Sequence, residues 1–95
     1  MKFGLLFEMQ RPYDGVEVDW NAMYRETLDQ CELADQVGFD NLWFVEHHFL
    51  MGFSGSPCPE VFLGALTQRT KNIRIGFGVS ILPSHHPVRV AERVA

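Results

Sequence analysis

The sequence predicts an α/β fold in which parallel strands alternate with helices. Three short apolar segments have the length of strands, and each precedes a segment whose apolar residues recur every three or four positions, as on one face of a helix. The strands begin about 30 to 40 residues apart, which is the spacing of repeated β-α-β units. Such units make the strands parallel and build either an open doubly wound sheet or a (β/α)8 barrel.

The barrel is favoured by the residues that follow the first strand. A dinucleotide-binding open sheet carries a Gly-x-Gly-x-x-Gly loop there, whereas this chain has Glu8 to Pro12. Gly76 and Gly78 lie inside the third predicted strand rather than at a helix start, so they do not form a phosphate-binding loop. A whole barrel needs about 250 residues, and this chain has 95. We therefore expect the first three β/α units of an incomplete TIM barrel.

The first unit comprises a strand, a loop and an amphipathic helix. Lys2 to Met9 is an apolar run typical of a buried strand, and Gln10 to Val18 is a polar loop. Asp19 is placed to cap a helix from Trp20 to Val37, which Gly38 ends in a left-handed conformation. The turn formers of the loop are Pro12, Asp14 and Gly15. The apolar stripe of the helix is Tyr24, Leu28, Cys31, Ala34 and Val37.

The second unit begins with a strand from Asn41 to Glu46, whose dense apolar centre is typical of a strand buried on both faces. A loop containing glycine, serine and proline follows. The second helix is predicted from near Pro59 to about Arg69 or Thr70. Its inward face is Phe62, Ala65 and Leu66.

The third unit begins with an apolar run from Ile73 to Leu82, bounded by Asn72 and Pro83. Pro87 suits the first turn of a third helix, because its missing amide hydrogen is not needed there. One face of that helix carries Val88, Ala91 and Ala95.

Composition narrows the function classes. Twelve acidic residues against eight basic ones give a net charge of −4, and no run of either sign is present, so we expect no nucleic-acid partner. The apolar runs are too short for a secretory signal or a membrane span, which predicts a cytoplasmic protein with no membrane partner. Cys31 and Cys58 do not form a Cys-x-x-Cys pair, so no zinc or redox motif is indicated.

Polar residues gather where the predicted strands end, which is the active-site edge of a barrel. They are Glu8 to Gln10, Glu46 to His48, and Ser80 with Ser84 to His86. Three hypotheses apply to Glu46 to His48. The residues could satisfy strand-end backbone groups, hold a metal ion, or move protons. Metal binding is disfavoured because neither histidine pair supplies a His-x-His spacing, so we assign no metal ligand.

Two longer elements carry a family resemblance. They are Glu-His-His-Phe at 46–49 and Leu-Pro-x-x-His-Pro-x-Arg-x-Ala-Glu at 82–92, in this order and spacing. Together with Phe3 to Leu5, Gly38 to Asp40, Trp43 and Asn72 to Gly76, they resemble the N-terminal part of the bacterial luciferase-like, flavin-dependent monooxygenases. The resemblance covers residues 1–95, and it implies the N-terminal part of a (β/α)8 barrel domain.

The resemblance also implies a chemistry. Members of that family bind reduced FMN, or in some branches the deazaflavin F420, at the C-terminal mouth of the barrel. The FMN members use dioxygen to oxidise a small organic substrate such as an aldehyde, an alkanesulfonate or a chelator. We therefore expect a small-molecule substrate, dioxygen, a flavin reductase as partner and a homo-oligomer for the complete protein. The alternatives are an F420-dependent dehydrogenase on the same fold, a metal-dependent barrel hydrolase and an inactive truncated fragment.

Site residues follow from the resemblance position by position. His47 matches the active-site histidine, which faces the flavin as a base or hydrogen-bond partner. His48 is its neighbour with a less defined role, and Glu46 is the supporting acid before it. Gly78 and Val79 match the position of a cis peptide bond against the flavin ring, and a glycine suits that close approach because it has no side chain.

Overall fold

The structure is a computed structural model that describes residues 1–10, 17–50 and 52–95. Strands and helices alternate as the sequence predicts. They are β1 (Gly4–Phe7), α1 (Trp20–Val37), β2 (Asn41–Phe44), α2 (Pro59–Leu66), β3 (Arg74–Phe77), a 3-10 turn (Leu82–Ser84) and α3 (Pro87–Val94). The predicted turn formers Pro12, Asp14 and Gly15 lie outside the described residues. Within the described part of the chain, none of the helices combines the length and hydropathy that a membrane span needs.

The three strands form one parallel sheet in the order β1-β2-β3. Leu42 of β2 is paired with Leu5 on one side and Ile75 on the other. Sequential order is what a barrel requires, whereas a doubly wound sheet places its first strand between later ones. The prediction of three consecutive β/α units is confirmed.

Each strand is shorter than predicted, with four residues. β1 ends before Met9, whose φ of 49° is incompatible with an extended strand. β2 ends at Phe44, because the amide of His47 donates to the loop carbonyl of Ser56 rather than to a neighbouring strand. The prediction that the third strand extends to Leu82 is wrong, since that residue begins the 3-10 turn.

The core lies between the sheet and helices α1 and α2. Its fully buried members include Cys31 of α1, Leu42 and Phe44 of β2, and Leu66 of α2. Because alternate strand residues point to opposite faces, Trp43 lies on the other side of the sheet and is exposed.

The predicted bounds of α1 are confirmed, and so are its two caps. The Asp19 carboxylate accepts from the Ala22 amide at 3.0 Å, and Gly38 has a left-handed φ of 90°. The predicted stripe is wrong at its end, because Val37 is exposed. The chain turns at Gly38, and Phe39 packs against the core instead.

The other two helices differ from prediction in their faces. α2 ends at Leu66, before the predicted Arg69 or Thr70. Its Ala65 is exposed, because the buried side is centred between Leu63 and Leu66. In α3 the partly buried residues are Val90 and Arg93, whereas the predicted apolar face is exposed at Val88, Ala91 and Ala95.

Asp35 of α1 fastens the segment that leads into β3. Its carboxylate accepts the amides of Lys71 at 2.6 Å, Asn72 at 3.0 Å and Ile73 at 2.8 Å, and the residue is buried. The hydrogen bond from the Lys71 amide lowers the pKa of Asp35 most, and those from Ile73 and Asn72 lower it further against the opposing effect of burial. The ionised carboxylate is therefore part of the fold.

We expect Asp35→Ala to lower the free energy of unfolding of the complete protein by about 1–3 kcal/mol, because three amides lose their partner. The parent's advantage should be full above the ordinary carboxyl pKa and should shrink as the pH falls below it, since the folded-state pKa is lowered. Denaturant unfolding measured between neutral and acid pH tests this. The control is Asp29→Ala, whose carboxylate bonds only the exposed Arg69 among the described contacts; equal losses would contradict the prediction.

A second expectation concerns the polypeptide 1–95 made alone. Among the described residues, no further strand pairs with the outer edges of β1 and β3, and Leu6, Trp43 and Val79 expose apolar side chains. Open strand edges and apolar surface promote association between chains. We expect aggregation or self-association in size-exclusion chromatography with light scattering. A monomer with a sharp cooperative melt would contradict this.

Candidate active site

The carboxylate of Glu46 lies at the centre of the candidate site. Its side chain is 0% exposed, although it is ionisable and follows β2 by two residues. Oε1 lies 2.8 Å from Nε2 of His48 and 2.5 Å from Nε2 of His85. The site therefore joins the ends of the second and third strands, which a barrel places side by side.

The second oxygen of Glu46 is held by residues that follow β3. Oε2 accepts from the Ile81 amide at 3.2 Å and the Ser80 hydroxyl at 3.2 Å, and Nη2 of Arg93 lies 3.4 Å away. Burial alone would raise the pKa of Glu46, but hydrogen bonds from His48, His85 and the Ile81 amide and the charge of Arg93 outweigh it. The pKa is lowered to about 2, so the carboxylate is ionised at neutral pH.

The two groups beside Nε2 of His85 indicate which ring nitrogen carries the hydrogen. Nε2 lies 2.5 Å from the carboxylate of Glu46 and 2.9 Å from Nη1 of Arg93. A guanidinium only donates, and so short a contact between nitrogen and a carboxylate oxygen requires a hydrogen between them. We therefore assign the hydrogen to Nε2 of His85, which donates to Glu46, so Arg93 makes no hydrogen bond to that nitrogen and its ion-pair partners are Glu46 and Glu60.

A metal ion is the competing interpretation of this cluster. The ligand atoms of Glu46, His48 and His85 lie within 4.8 Å of one another. This set contains no His-x-His pair, because Glu46 and His48 follow β2 whereas His85 follows β3. The spacing of the histidines in the sequence therefore did not predict it. The guanidinium of Arg93 beside His85 nevertheless puts a permanent cation at the site. Ligands of tetrahedral zinc also lie about 3.3 Å apart, given Zn–ligand bonds of about 2.0–2.2 Å, which is longer than the 2.5 and 2.8 Å contacts. The geometry favours a hydrogen-bonded charge cluster.

His47 makes different contacts from its neighbours. Its amide donates to the Ser56 carbonyl at 2.9 Å, and its ring centroid lies 5.7 Å from that of Phe53. Its Nδ1 is buried and has no hydrogen-bond partner among residues 1–10, 17–50 and 52–95. The ring of His47 is thus placed by its backbone and by packing, whereas the ring of His48 bonds Glu46.

The loop after β2 is fastened to the ends of two strands. Ser56 is buried, and its hydroxyl donates to the Val45 carbonyl at 2.7 Å. Ser54 is also buried, and its hydroxyl donates to the Glu8 carbonyl at 2.5 Å. This loop therefore lies beside His47 in a defined conformation, and the first polar cluster of the sequence contributes backbone groups to it.

The residues predicted to bind the cofactor lie next to this strand end. The bond between Gly78 and Val79 is cis, as the resemblance implied. The Gly78 amide donates to the Phe44 carbonyl at 2.8 Å, and a Cβ on Gly78 would lie 3.1 Å from Cβ of Trp43. Gly78 thus packs closely against Trp43 beside the end of β2, and it has no side chain of its own that would keep a planar ring away.

Sequence reasoning missed Arg93. Its guanidinium is 14% exposed, contacts Glu46 and His85, and lies 5.0 Å from the Phe77 ring centroid. Arg93 lies three residues after Val90 and therefore on the same face of α3. The inward face predicted from sequence was Val88, Ala91 and Ala95 instead, so that prediction did not include Arg93. Of the remaining predicted polar residues, Ser84 donates to the Ile81 carbonyl and His86 caps α3.

Comparison with known proteins shows the family of this chain. Residues 1–95 match the family described as luciferase-like monooxygenases. The chain is 33% identical over its whole length to the oxygenase component of a flavin-dependent trigonelline monooxygenase from Acinetobacter baylyi, of which it covers 26%. It is 39% identical over 87% of its length to a limonene 1,2-monooxygenase from Rhodococcus erythropolis, of which it covers 21%.

A solved structure has a similar fold. The oxygenating constituent of 3,6-diketocamphane monooxygenase from Pseudomonas putida, a type II Baeyer-Villiger monooxygenase in complex with FMN, aligns with a TM-score of 0.82 and 28% identity over 99% of this chain and 25% of that one. The chain therefore spans about a quarter of the length of these relatives. It has the fold of the N-terminal part of their (β/α)8 barrel, and it belongs to the luciferase-like monooxygenase family.

Proposed function

We propose that the complete protein is a monooxygenase that uses reduced FMN and dioxygen to oxidise a small organic substrate. The observation that carries this proposal is that His47 and Gly78 follow the neighbouring strands β2 and β3, with the Gly78 amide bonded to the carbonyl of Phe44, three residues before His47. A planar cofactor against Gly78 would have an imidazole at its edge, and an imidazole is the usual side chain for moving protons near neutral pH.

Within this proposal Gly78 and Val79 hold the ring of FMN, and the reduced cofactor supplies the electrons for dioxygen. His47 holds or moves a proton at its imidazole, which the described protein groups leave unbonded at Nδ1. Glu46 supports the strand end as an ionised acceptor, and His48 anchors to it. Trp43, exposed on the inner face of the sheet, contributes apolar surface that excludes water.

The names of the relatives guide the choice of substrate and partner. Limonene and trigonelline, named for two of them, are small cyclic compounds, so we propose a substrate of that size. One relative is called an oxygenase component, which supports a separate flavin reductase as the source of reduced FMN. We expect the complete protein to form a homo-oligomer in the cytoplasm.

The test uses the complete protein with FMN, NADH, a general flavin reductase and ¹⁸O₂. A panel of small terpenes, cyclic ketones, pyridines, aldehydes and alkanesulfonates is screened by mass spectrometry. The proposal predicts one ¹⁸O atom in the product of at least one compound, dependent on FMN. Turnover with reduced F420 and without oxygen would instead support the dehydrogenase, and no product with either cofactor would contradict the proposal.

A substitution at Gly78 tests the cofactor surface, by which we mean Gly78 and Val79 as the proposed contacts of the FMN ring. Gly78→Ala should weaken FMN binding by roughly 5- to 150-fold, because a Cβ there meets Trp43 at 3.1 Å and overpacking costs about 1–3 kcal/mol. Gly64→Ala in α2 is the matched control, since no atom lies within 4 Å of its added Cβ. Flavin fluorescence titration measures both affinities. Equal FMN affinity in the parent and both variants would remove Gly78 from the site.

A further inference from the structure

The orientation of the His47 side chain depends on its backbone and on its neighbours Glu46 and His48. Catalytic histidines are commonly oriented by a hydrogen bond to the second ring nitrogen, but Nδ1 of His47 has no such partner in the described part of the chain. The residues on either side of it are held tightly, because Glu46 and His48 bond each other at 2.8 Å. Because Glu46 and His48 are the chain neighbours of His47, this bond restricts the backbone on both sides of His47.

Arg93 of α3 contacts the same carboxylate of Glu46. Its Nη2 lies 3.4 Å from Oε2 of Glu46 and 2.9 Å from Oε2 of Glu60, and its Nη1 lies 2.9 Å from His85. The guanidinium also lies 5.0 Å from the Phe77 ring centroid, within the range of a cation–π contact. A rigid guanidinium with several donors can hold one carboxylate orientation, which a flexible ammonium does less well.

The contacts therefore form a chain from α3 to the end of β2. Arg93 and His85 fix the carboxylate of Glu46, which fixes His48, and these two flank His47. We infer that Arg93 is a positioning residue, which acts through Glu46 to hold His47 toward the cofactor surface at Gly78. This inference rests on the proposed function, because it assigns Arg93 a part in turnover.

The test compares Arg93→Met and Arg93→Lys with the control Arg89→Met in the complete protein. Methionine keeps much of the side-chain length against Phe77 but removes the charge and the donors. Arg89 lies on the same helix, its side chain is 77% exposed, and it bonds only Glu92 among the described contacts. We expect Arg93→Met to lower kcat by about 10- to 100-fold, with KM and FMN affinity within about twofold, since a small misplacement of a reacting group costs that much. Arg93→Lys should lie between, and Arg89→Met should match the parent.

A second readout does not depend on turnover. Long-range ¹H–¹⁵N spectra of histidine-labelled protein report ring tautomers, and they should show the hydrogen on Nε2 of His48 and His85 in the parent. Arg93→Met should shift the ring resonances of His85, His48 and also His47, whereas Arg89→Met should shift none. Unchanged His47 resonances in Arg93→Met, or kcat equal to that of the parent, would overturn the inference.

The two readouts separate the inference from the proposed function. If the parent has no FMN-dependent turnover, the proposed function fails, and the His47 resonances alone decide whether Arg93 positions that ring. If Arg93→Met does not fold, Arg93→Lys decides by the same measurements, with a smaller shift and a partial loss of kcat expected.

Discussion

His47→Ala is expected to slow turnover of the complete protein by roughly 10²- to 10⁴-fold, the usual range for losing a general acid or base. The residue lies one position beyond the buried Glu46, its backbone is held by Ser56, and its ring makes none of the described side-chain hydrogen bonds. FMN affinity should change little, because the proposed contacts of the ring with Gly78 and Val79 do not involve the imidazole. Steady-state turnover and the FMN dissociation constant, measured at one pH, test both statements.

His48→Asn is the control for this prediction. His48 bonds the carboxylate of Glu46 at 2.8 Å and belongs to the charge cluster that flanks His47, so its replacement by a residue of similar size should affect packing and stability and should lower turnover much less than His47→Ala does. If His48→Asn abolishes activity while His47→Ala does not, the roles of the two histidines are reversed. If neither matters, the Glu-His-His-Phe element is structural and the catalytic proposal fails.

Glu46→Leu is expected to have the largest effect on stability, lowering the free energy of unfolding by about 3–5 kcal/mol. The substitution leaves the mostly buried guanidinium of Arg93 without its central acceptor and removes the partner of His48 and His85. Glu60→Leu is the matched control, since Glu60 also bonds Arg93 but has a side chain that is 42% exposed. Its loss should be below about 1 kcal/mol, as for surface ion pairs. Denaturant unfolding of both variants measures the difference, and similar values would contradict a special role for Glu46.

The same carboxylate predicts a pH dependence. Its pKa is lowered from 4.5 to about 2, so its contribution to stability is present above pH 4.5 and is lost as the pH falls toward 2. The difference in unfolding free energy between the parent and Glu46→Gln should therefore be constant from pH 7 to about 5 and should narrow below 4.5. A difference that widens on acidification would contradict the assignment of an ionised Glu46.

The order of the fold was predictable from sequence because it depends on local patterns. Apolar spacing, the capping Asp19 and the terminal Gly38 locate α1 to the residue, and the alternation of strands and helices requires parallel pairing. The strand ends were less predictable. Beyond the end of β2, the His47 amide donates to Ser56, nine positions further along the chain, instead of continuing the sheet. Such a contact has no local signature.

The candidate site was predictable in part for the same reason. Glu46, His47 and His48 were placed at the active-site edge because they come directly after an apolar segment, which is a local pattern. That His85 and Arg93 complete the cluster depends on how α3 packs against the sheet. Val88 and Ala91 of α3 are exposed, and the partly buried position of Arg93 is revealed only by packing.

The most direct test of the central claim is a crystal structure of the complete protein with FMN bound. We expect the flavin ring to lie against Gly78 and Val79, with an imidazole nitrogen of His47 within about 4 Å of the ring or of a bound substrate. We also expect Glu46, His48, His85 and Arg93 to keep their mutual hydrogen bonds behind it. A flavin ring bound away from the ends of β2 and β3, or a His47 side chain turned away from it, would contradict the account.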